Sequence, residues 1–134
     1  YNVGSCTDCV RGIFAGGFVG PGTMKNEIDF ITIASTGNAS DFGDLDVVKR
    51  YLGSGSNQTK GITVGGQSQS GGSYPTVDTM AHITIATTGN AVDFGDMLSS
   101  RFNIPNDGCS SPTRGVWGGG QDPSVSNVLR STPS

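Results

Sequence analysis

Hydrophobic and polar residues alternate over short segments of this chain, and the alternation predicts β-strands. Glu27–Ile33 is rich in β-branched and aromatic residues, each of its two faces is at least half apolar, and Thr79–Ile85 repeats the pattern. Because such a strand is usually covered on both sides, we expect sheets stacked between other sheets. Arg11–Ala15 predicts a further strand, and Val47–Leu52 and Leu98–Ile104 predict weaker ones. No segment has a helical period.

Two sequence motifs recur at intervals of about fifty residues. I-T-I-A-S-T-G-N-A-S-D-F-G-D at Ile31–Asp44 returns at Ile83–Asp96 with only two differences. An apolar run that ends in glycines occurs three times, at Arg11–Gly17, Lys60–Gly66 and Arg114–Gly120. This period predicts one supersecondary unit repeated in tandem, and such repetition builds surfaces and stacks more often than a single catalytic centre.

The repeats predict an all-β fold of tandem antiparallel sheets, about two and a half units in one domain over residues 1–134. We place repeat one at 6–54, repeat two at 55–108 and a partial third repeat at 109–134. Too few units are present to close a propeller, so open sheet edges and apolar faces are expected to pair with another copy. The residues expected to support this assembly lie towards the two ends: Tyr1, Val3, Trp117, Val125, Val128 and Leu129.

Glycine and polar residues mark the predicted turns and loops. Thr36-Gly37-Asn38 and Thr88-Gly89-Asn90 follow the central strands, and we expect one glycine or asparagine of each to have positive φ. The Gly- and Ser-rich segments Gly53–Gln58 and Gly65–Tyr74 are expected to be loops between units.

Composition narrows the classes of partner. The chain has 22 glycines, 14% charged residues and a net charge of −3, and no basic run gives a reason to expect nucleic acid. No apolar stretch approaches the roughly 18–20 residues of a membrane span.

Three cysteines suggest a cross-link. Cys6 and Cys109 hold equivalent places before the arginine of their repeats, where the middle repeat has Gly55. We expect a disulfide between Cys109 and either Cys6 or Cys9, within the chain or to a neighbouring subunit, with free thiols as the alternative. C-T-D-C resembles half a zinc site but lacks a second ligand pair.

Two other kinds of site are candidates. The carboxylates of Asp41, Asp44, Asp93 and Asp96 surround glycine turns and could hold Ca²⁺, although turn hydrogen bonding is the simpler interpretation. Asn38 and Asn57 begin N-glycosylation sequons, which matter only in a secreted or eukaryotic protein.

No constellation of residues predicts catalysis or a cofactor. His82 is the only histidine, and a lone strand histidine is more often packed than catalytic. No nucleophile-elbow motif accompanies it. Trp117, Phe14 and Tyr74 could form an aromatic platform for sugars, but the equivalence of Trp117 and Phe14 in the repeats favours packing.

The repeats resemble the blades of kelch-type β-propellers in their order of strands. The resemblance rests on the glycine doublets, which we define as Gly16-Gly17, Gly65-Gly66 and Gly119-Gly120. Kelch repeats place a spaced Tyr and Trp after the doublet, and this chain does not.

A closer resemblance is to repeats of virion structural proteins of tailed bacteriophages, especially tail and fibre proteins. Ile31–Leu45, Ile83–Met97 and Arg114–Gly120 carry it. The resemblance implies a structural role and brings no catalytic residues with it. Together with the open sheet edges of an incomplete set of repeats, it leads us to expect a non-enzymatic subunit without cofactors, which assembles head to tail with its own copies into an extracellular filament or a phage tail or fibre. The alternative is a glycan- or receptor-binding module of a fibre tip.

Overall fold

A computed structural model describes residues 3–106 and 108–124, and these residues confirm the all-β class. They form two four-stranded antiparallel sheets and two two-stranded pairs, which close neither a barrel nor a propeller within the described part. The strands are β1 Gly4–Thr7, β2 Arg11–Val19, β3 Thr23–Thr32, β4 Ser40–Asp44, β5 Lys49–Arg50, β6 Gly53–Ser56, β7 Lys60–Val64, β8 Gln67–Ser68, β9 Thr79–Thr84, β10 Val92–Asp96, β11 Cys109–Ser110 and β12 Gly115–Val116.

The two large sheets have the same strand order and the same register. Sheet 1 is β1-β2-β3-β4 and sheet 2 is β6-β7-β9-β10. Gly4 pairs with Ala15 in sheet 1, and the equivalent residues Gly53 and Val64 pair in sheet 2. The remaining pairs of β1–β2 and β6–β7 are equivalent in the same way. The β11–β12 hairpin begins a third unit in the same register. The sequence repeat is therefore also a structural repeat.

A bulge occurs at the same place in both sheets. Phe42 in β4 and Phe94 in β10 are skipped by the pairing with the neighbouring strand. Each is followed by a glycine of positive φ, 146° at Gly43 and 124° at Gly95, which suits a bulge. The D-F-G-D motif is therefore bulged strand, not a free loop.

The expected position of the turn glycines is partly wrong. Gly89 has a φ of 156°, but neither Gly37 nor Asn38 has a positive φ. The chain reverses earlier in both repeats, where the Ser35 amide donates to the Thr32 carbonyl at 3.2 Å and the Thr87 amide to the Thr84 carbonyl at 3.1 Å. The two turns differ in that Gly89 is held on repeat one, whose Phe42 carbonyl accepts from its amide. Both glycines of every doublet instead have φ between 55° and 116°.

Sheets 1 and 2 pack face to face and share one core. It consists of Ile13, Ala15, Ile28, Phe42, Leu45, Ile83 and Ile85. Within the described residues each four-stranded sheet is covered fully on one face only, so the expectation of coverage on both faces is wrong for this part of the chain. No helix of the described residues has the length and apolarity to cross a membrane.

Candidate assembly interface

Hydroxyl groups join the first strands of consecutive repeats. Ser54 Oγ accepts from the Ser5 amide (2.8 Å) and donates to the Ser5 carbonyl (2.6 Å). Ser56 Oγ makes the same pair of bonds with Thr7, at 3.2 and 2.8 Å. In the third repeat, Ser110 Oγ donates to the Ser56 carbonyl at 2.7 Å. The hairpin therefore lies on sheet 2 as sheet 2 lies on sheet 1.

A second contact joins the far strands, and we call it the turn–strand junction. The T-G-N-A turn of repeat two lies on the bulged strand of repeat one. The Gly89 amide donates to the Phe42 carbonyl and the Ala91 amide to the Asp44 carbonyl, both at 2.8 Å. The Asp44 amide donates in return to Asn90 Oδ1 at 3.1 Å. Three hydrogen bonds thus fix the turn of one repeat on the strand of the preceding repeat.

The junction buries aromatic side chains beneath it. Phe42 is 2% exposed and its ring makes a T-shaped contact with Phe30, with centroids 5.9 Å apart. The Arg11 guanidinium lies 4.8 Å from the Phe30 centroid and donates to the Ile85 carbonyl at 2.9 Å. A Cβ on Gly43 would lie 2.5 Å from the carbonyl oxygen of Gly89, so the close approach requires glycine here.

At the far end of sheet 2, the bulged strand of the second repeat carries no turn among the described residues. Phe94 is equivalent to Phe42 but is 52% exposed, and its ring makes a T-shaped contact with His82. A Cβ built on Gly95 meets no atom within 4 Å, whereas at Gly43 it meets the turn. We call Ile62, Met80 and Phe94 the tail face.

At the opposite end, the first T-G-N-A turn projects into solvent. Gly37–Ala39 is exposed. Ile33 is 53% exposed, whereas its equivalent Ile85 is 0% exposed because sheet 1 covers it. We call Phe14, Ile31 and Ile33, on the side of sheet 1 away from sheet 2, the head face. Each end of the stack thus presents one half of the contact that joins the two sheets in the middle.

The β11–β12 hairpin covers part of the tail face. The Trp117 indole N–H donates to the Ser54 carbonyl at 3.1 Å, and its ring lies against the backbone of Gly55 and Gly115. An open groove of about 350 Å³ remains between this hairpin and β10. Ile62, Met80, Phe94, Arg114 and Trp117 line the groove.

The residues predicted to support assembly have mixed outcomes. Trp117 packs on its own chain. The Val3 carbonyl accepts from Asn106 Nδ2 at 3.0 Å, so this residue is also bonded within the chain. Tyr1, Val125, Val128 and Leu129 lie outside the described residues.

The predicted intrachain disulfide is not formed. Cys6, Cys9 and Cys109 are all free thiols. The reason lies in the stacking, because β1 and β11 both contact β6. The equivalent position in β6 is Gly55, so one repeat separates Cys6 from Cys109. A disulfide to a neighbouring subunit stays a prediction.

Cys6 is a half-buried thiol at the interface between the sheets. Its Sγ lies 2.5 Å from the position that a Cβ on Gly61 would take, so the sulfur fits against sheet 2 because residue 61 is glycine. Burial, and secondarily the negative charge of Asp8, raises the pKa of Cys6 from 9.0 to about 12. The thiol is therefore neutral and poorly nucleophilic at ordinary pH.

Side chains that cap the first hairpin of each repeat were missed by sequence reasoning. Asp8 Oδ1 accepts from the amides of Val10 and Arg11 at 2.9 and 2.7 Å, and these bonds lower the pKa of Asp8. Asn57 and Ser111 hold the same place in repeats two and three. An alignment of the repeats shows Asp, Asn and Ser in this column, which is the signal that could have found them.

The glycosylation candidates differ in their availability. Asn38 is exposed in the first turn. Asn57 accepts from the amides of Thr59 and Lys60 and donates through Nδ2 to the Pro112 carbonyl at 2.8 Å. Because this side chain caps the first hairpin of its own repeat and also bonds to the next repeat, Asn57 is a structural residue here.

The acidic candidates do not form a calcium site. No group of three or more His, Cys, Asp or Glu residues is placed to hold a metal in the described part. Asp41 and Asp44 lie in β4, and Asp93 and Asp96 lie in β10. Asp93 Oδ1 accepts from the Gly95 amide at 3.0 Å, as the simpler turn interpretation expects.

The three aromatic residues do not form one platform. Trp117 packs against glycines of its own and the preceding repeat, and Phe14 lies on the head face. The Tyr74 ring is covered by the Arg50 guanidinium at 4.4 Å, and the same guanidinium also lies over Phe18 and Tyr51.

In comparisons with known proteins, no protein-family model matches this chain and no curated protein matches it significantly. The interface described above is therefore the basis for a functional proposal.

Proposed function

We propose that the chain is a structural, non-enzymatic subunit that assembles head to tail with its own copies. The product is an extracellular filament or a phage tail or fibre. The observation that carries the proposal is the contrast between equivalent residues: Phe42 and Ile85 are buried between the sheets, while Phe94 and Ile33 are about half exposed at the ends.

The two ends are complementary, since each presents the half of a contact that the other lacks. A contact between two different surfaces of the same chain is heterologous, and it continues into a ring or an open filament. Covering the exposed half of one phenylalanine contributes on the order of 1 kcal/mol, so a stable contact requires the whole sheet face.

The polar groups at the interface support a structural role. The hydroxyls of Ser54 and Ser56 and the amide of Asn57 are bonded to backbone groups of the adjacent repeats. His82, which as a lone strand histidine is expected to be packed more often than catalytic, contacts the Phe94 ring.

Sedimentation velocity over a range of concentrations, followed by negative-stain electron microscopy, tests the proposal. We expect the mass to grow with concentration without stopping at a dimer, and particles to appear as filaments or rings. A monodisperse monomer at the highest soluble concentration would contradict it.

A glycan- or receptor-binding module is the second candidate. The observation that favours it is Tyr74, 39% exposed, beside Arg50 and Gln67, whose side chains are joined by a 3.3 Å hydrogen bond. Aromatic rings next to polar groups suit sugar binding. A glycan array with the unmodified chain and Tyr74→Ala tests it, and equal signals from both would argue against this surface.

A further inference from the structure

We infer that copies of this chain join by forming the turn–strand junction between molecules, with the β11–β12 hairpin displaced. Gly37–Ala39 of one copy would lie on Phe94–Asp96 of the next. The inference rests on the proposed function and specifies which contact makes the assembly and which segment competes with it.

The sequence of the two unfilled halves matches the filled junction. The turn reads T-G-N-A in both repeats and the strand reads D-F-G-D in both. The three hydrogen bonds of the internal junction therefore have the same donors and acceptors available between copies. By equivalence, the Asp96 amide would donate to the side chain of Asn38, as the Asp44 amide does to Asn90.

Space for the turn is present at the tail end. The internal turn occupies the position where a Cβ on Gly43 would stand, whereas none of the described residues has an atom within 4 Å of the equivalent position at Gly95. The strand there has the same bulge and a glycine of similar φ. The turn of a second copy could therefore approach β10 without any change in the backbone of that strand, while Gly37 would take up the φ that Gly89 has in the internal junction.

The surrounding faces also match. Ile31 and Ile33 of the incoming copy would pack on the tail face as Ile83 and Ile85 pack on sheet 1. On the tail face, Met80 stands where sheet 1 has Ile28. The side chains of the head and tail faces are thus apolar and similar in size to those buried between sheets 1 and 2.

The hairpin occupies part of the place that the incoming sheet would take. Ser110 holds the position on Ser56 that Thr7 of the second copy would hold. Each strand of the hairpin has two residues, and all four are exposed. Two short strands leave Phe94 open, while a four-stranded sheet would cover it. The incoming copy therefore replaces a smaller contact by a larger one, and the hairpin acts as a removable cap on the tail face.

Disulfide trapping in the full-length chain tests the contact. The background is Cys6→Ala, Cys9→Ser and Cys109→Ser, so that no native thiol reacts. The test pair is Asn38→Cys with Asp96→Cys. The internal control pair is Asp44→Cys with Asn90→Cys, which should close within one chain and shows that the fold is kept.

A third variant controls for chance collisions. It pairs Asn38→Cys with Ser73→Cys, an exposed residue outside both faces. On mild oxidation the test pair should give a ladder of linked dimers, trimers and longer species that disappears with reductant. The yield should exceed that of the Ser73 pair several-fold. If the chain assembles but the two yields are equal, the inference is wrong and the proposed function stands. If every variant and the unmodified chain remain monomeric, both are wrong.

Trp117 reports on the hairpin, because it is the only tryptophan of the chain. If the hairpin is displaced, its emission should shift to longer wavelength as assembly proceeds. Trp117→Ala weakens the cap and should raise the trapped yield of the test pair several-fold. An unshifted emission during assembly, or a lower yield in Trp117→Ala, would show that the hairpin stays in place and supports the contact.

Discussion

Replacing Gly43 by alanine tests the internal junction, and Gly95→Ala is its matched control. Both glycines follow a bulged phenylalanine in the same D-F-G-D sequence and have φ of 146° and 124°, so alanine is strained at both, by about 1 kcal/mol or more. Of the two, and among the residues that the structure describes, the added Cβ meets backbone at Gly43, at 2.5 and 2.6 Å from the O and C of Gly89 and 2.9 Å from the Asn90 amide nitrogen.

The backbone contact sets the difference between the two variants. To relieve it, the turn must move away from the strand and lose the three hydrogen bonds of the junction, each worth about 1 kcal/mol net. The movement also exposes part of the buried Phe42 ring, and full burial of such a side chain contributes roughly 1.5–3 kcal/mol. We therefore expect Gly43→Ala to lower the free energy of unfolding by about 3–4 kcal/mol more than Gly95→Ala does.

Urea denaturation followed by circular dichroism measures the difference. The experiment is done at concentrations where the chain is monomeric, because Gly95 lies at the proposed contact between copies. If the free energies of unfolding of the two variants fall by the same amount to within about 0.5 kcal/mol, the turn moves away from β4 without loss of stability, and the junction does not stabilise the packing of the two sheets.

Three further outcomes are expected. Lys49 is 0% exposed, and its Nζ lies 3.0 Å from Asp46 Oδ1 and donates to Thr79 Oγ1 at 2.8 Å. Asp46→Ala should cost about 3 kcal/mol because it leaves a buried charge without its counter-ion, whereas Lys49→Met should stay within about 1 kcal/mol because the Asp46 side chain is 31% exposed and remains solvated. Urea denaturation measures both variants, and the reverse order would contradict this reasoning. His82 Nδ1 is buried and has no hydrogen-bond partner among the described residues. His82→Phe removes this atom and gives repeat two the Phe–Phe ring pair of repeat one, so it should stabilise the fold by about 1 kcal/mol, and a lower melting temperature in thermal melts would be the contrary result. Because folding raises the pKa of Cys6 from 9.0 to about 12, the stability that this thiol contributes is present below pH 9 and is lost as the pH rises through the pKa of the folded state. At pH 8, Cys6 should react with a thiol reagent far more slowly than the exposed Cys109, and equal rates would refute its burial.

The central strands and the repeat could be predicted from sequence because both depend on local patterns. Glu27–Ile33 lies mostly within β3, and Thr79–Ile85 coincides with β9 except for its last residue. The strand predicted at Arg11–Ala15 is shorter than β2, because a bulge between Ala15 and Gly17 lets the strand continue through the glycine doublet to Val19. A doublet in sequence indicates a stop, and only the pairing with β3 shows that it is a bulge.

The first strand of each repeat was missed for a different reason. Gly53–Gln58 was expected to be a loop from its Gly and Ser content, yet Gly53–Ser56 is β6, with Gly53 and Ser54 buried. Its stability comes from the hydroxyl bonds to the preceding repeat, which no local pattern shows. Conversely, Leu98–Ile104 has strand composition but forms only an isolated bridge at Phe102, and Leu98 is fully exposed.

The near identity of Ile31–Asp44 and Ile83–Asp96 follows from what this segment does in the stack. It contains the sequences of both halves of the turn–strand junction, and the structure forms this junction once, with the T-G-N-A turn of repeat two on the D-F-G-D strand of repeat one. In the proposed assembly each half would meet a partner of the same sequence, so a change in one repeat would affect contacts with two neighbours. The two differences, Ser35 to Thr87 and Ser40 to Val92, fall at positions that are exposed in both repeats. The residues that make the hydrogen bonds of the junction, and their counterparts in the other repeat, are therefore identical, which is the pattern expected if each repeat can meet another of its kind.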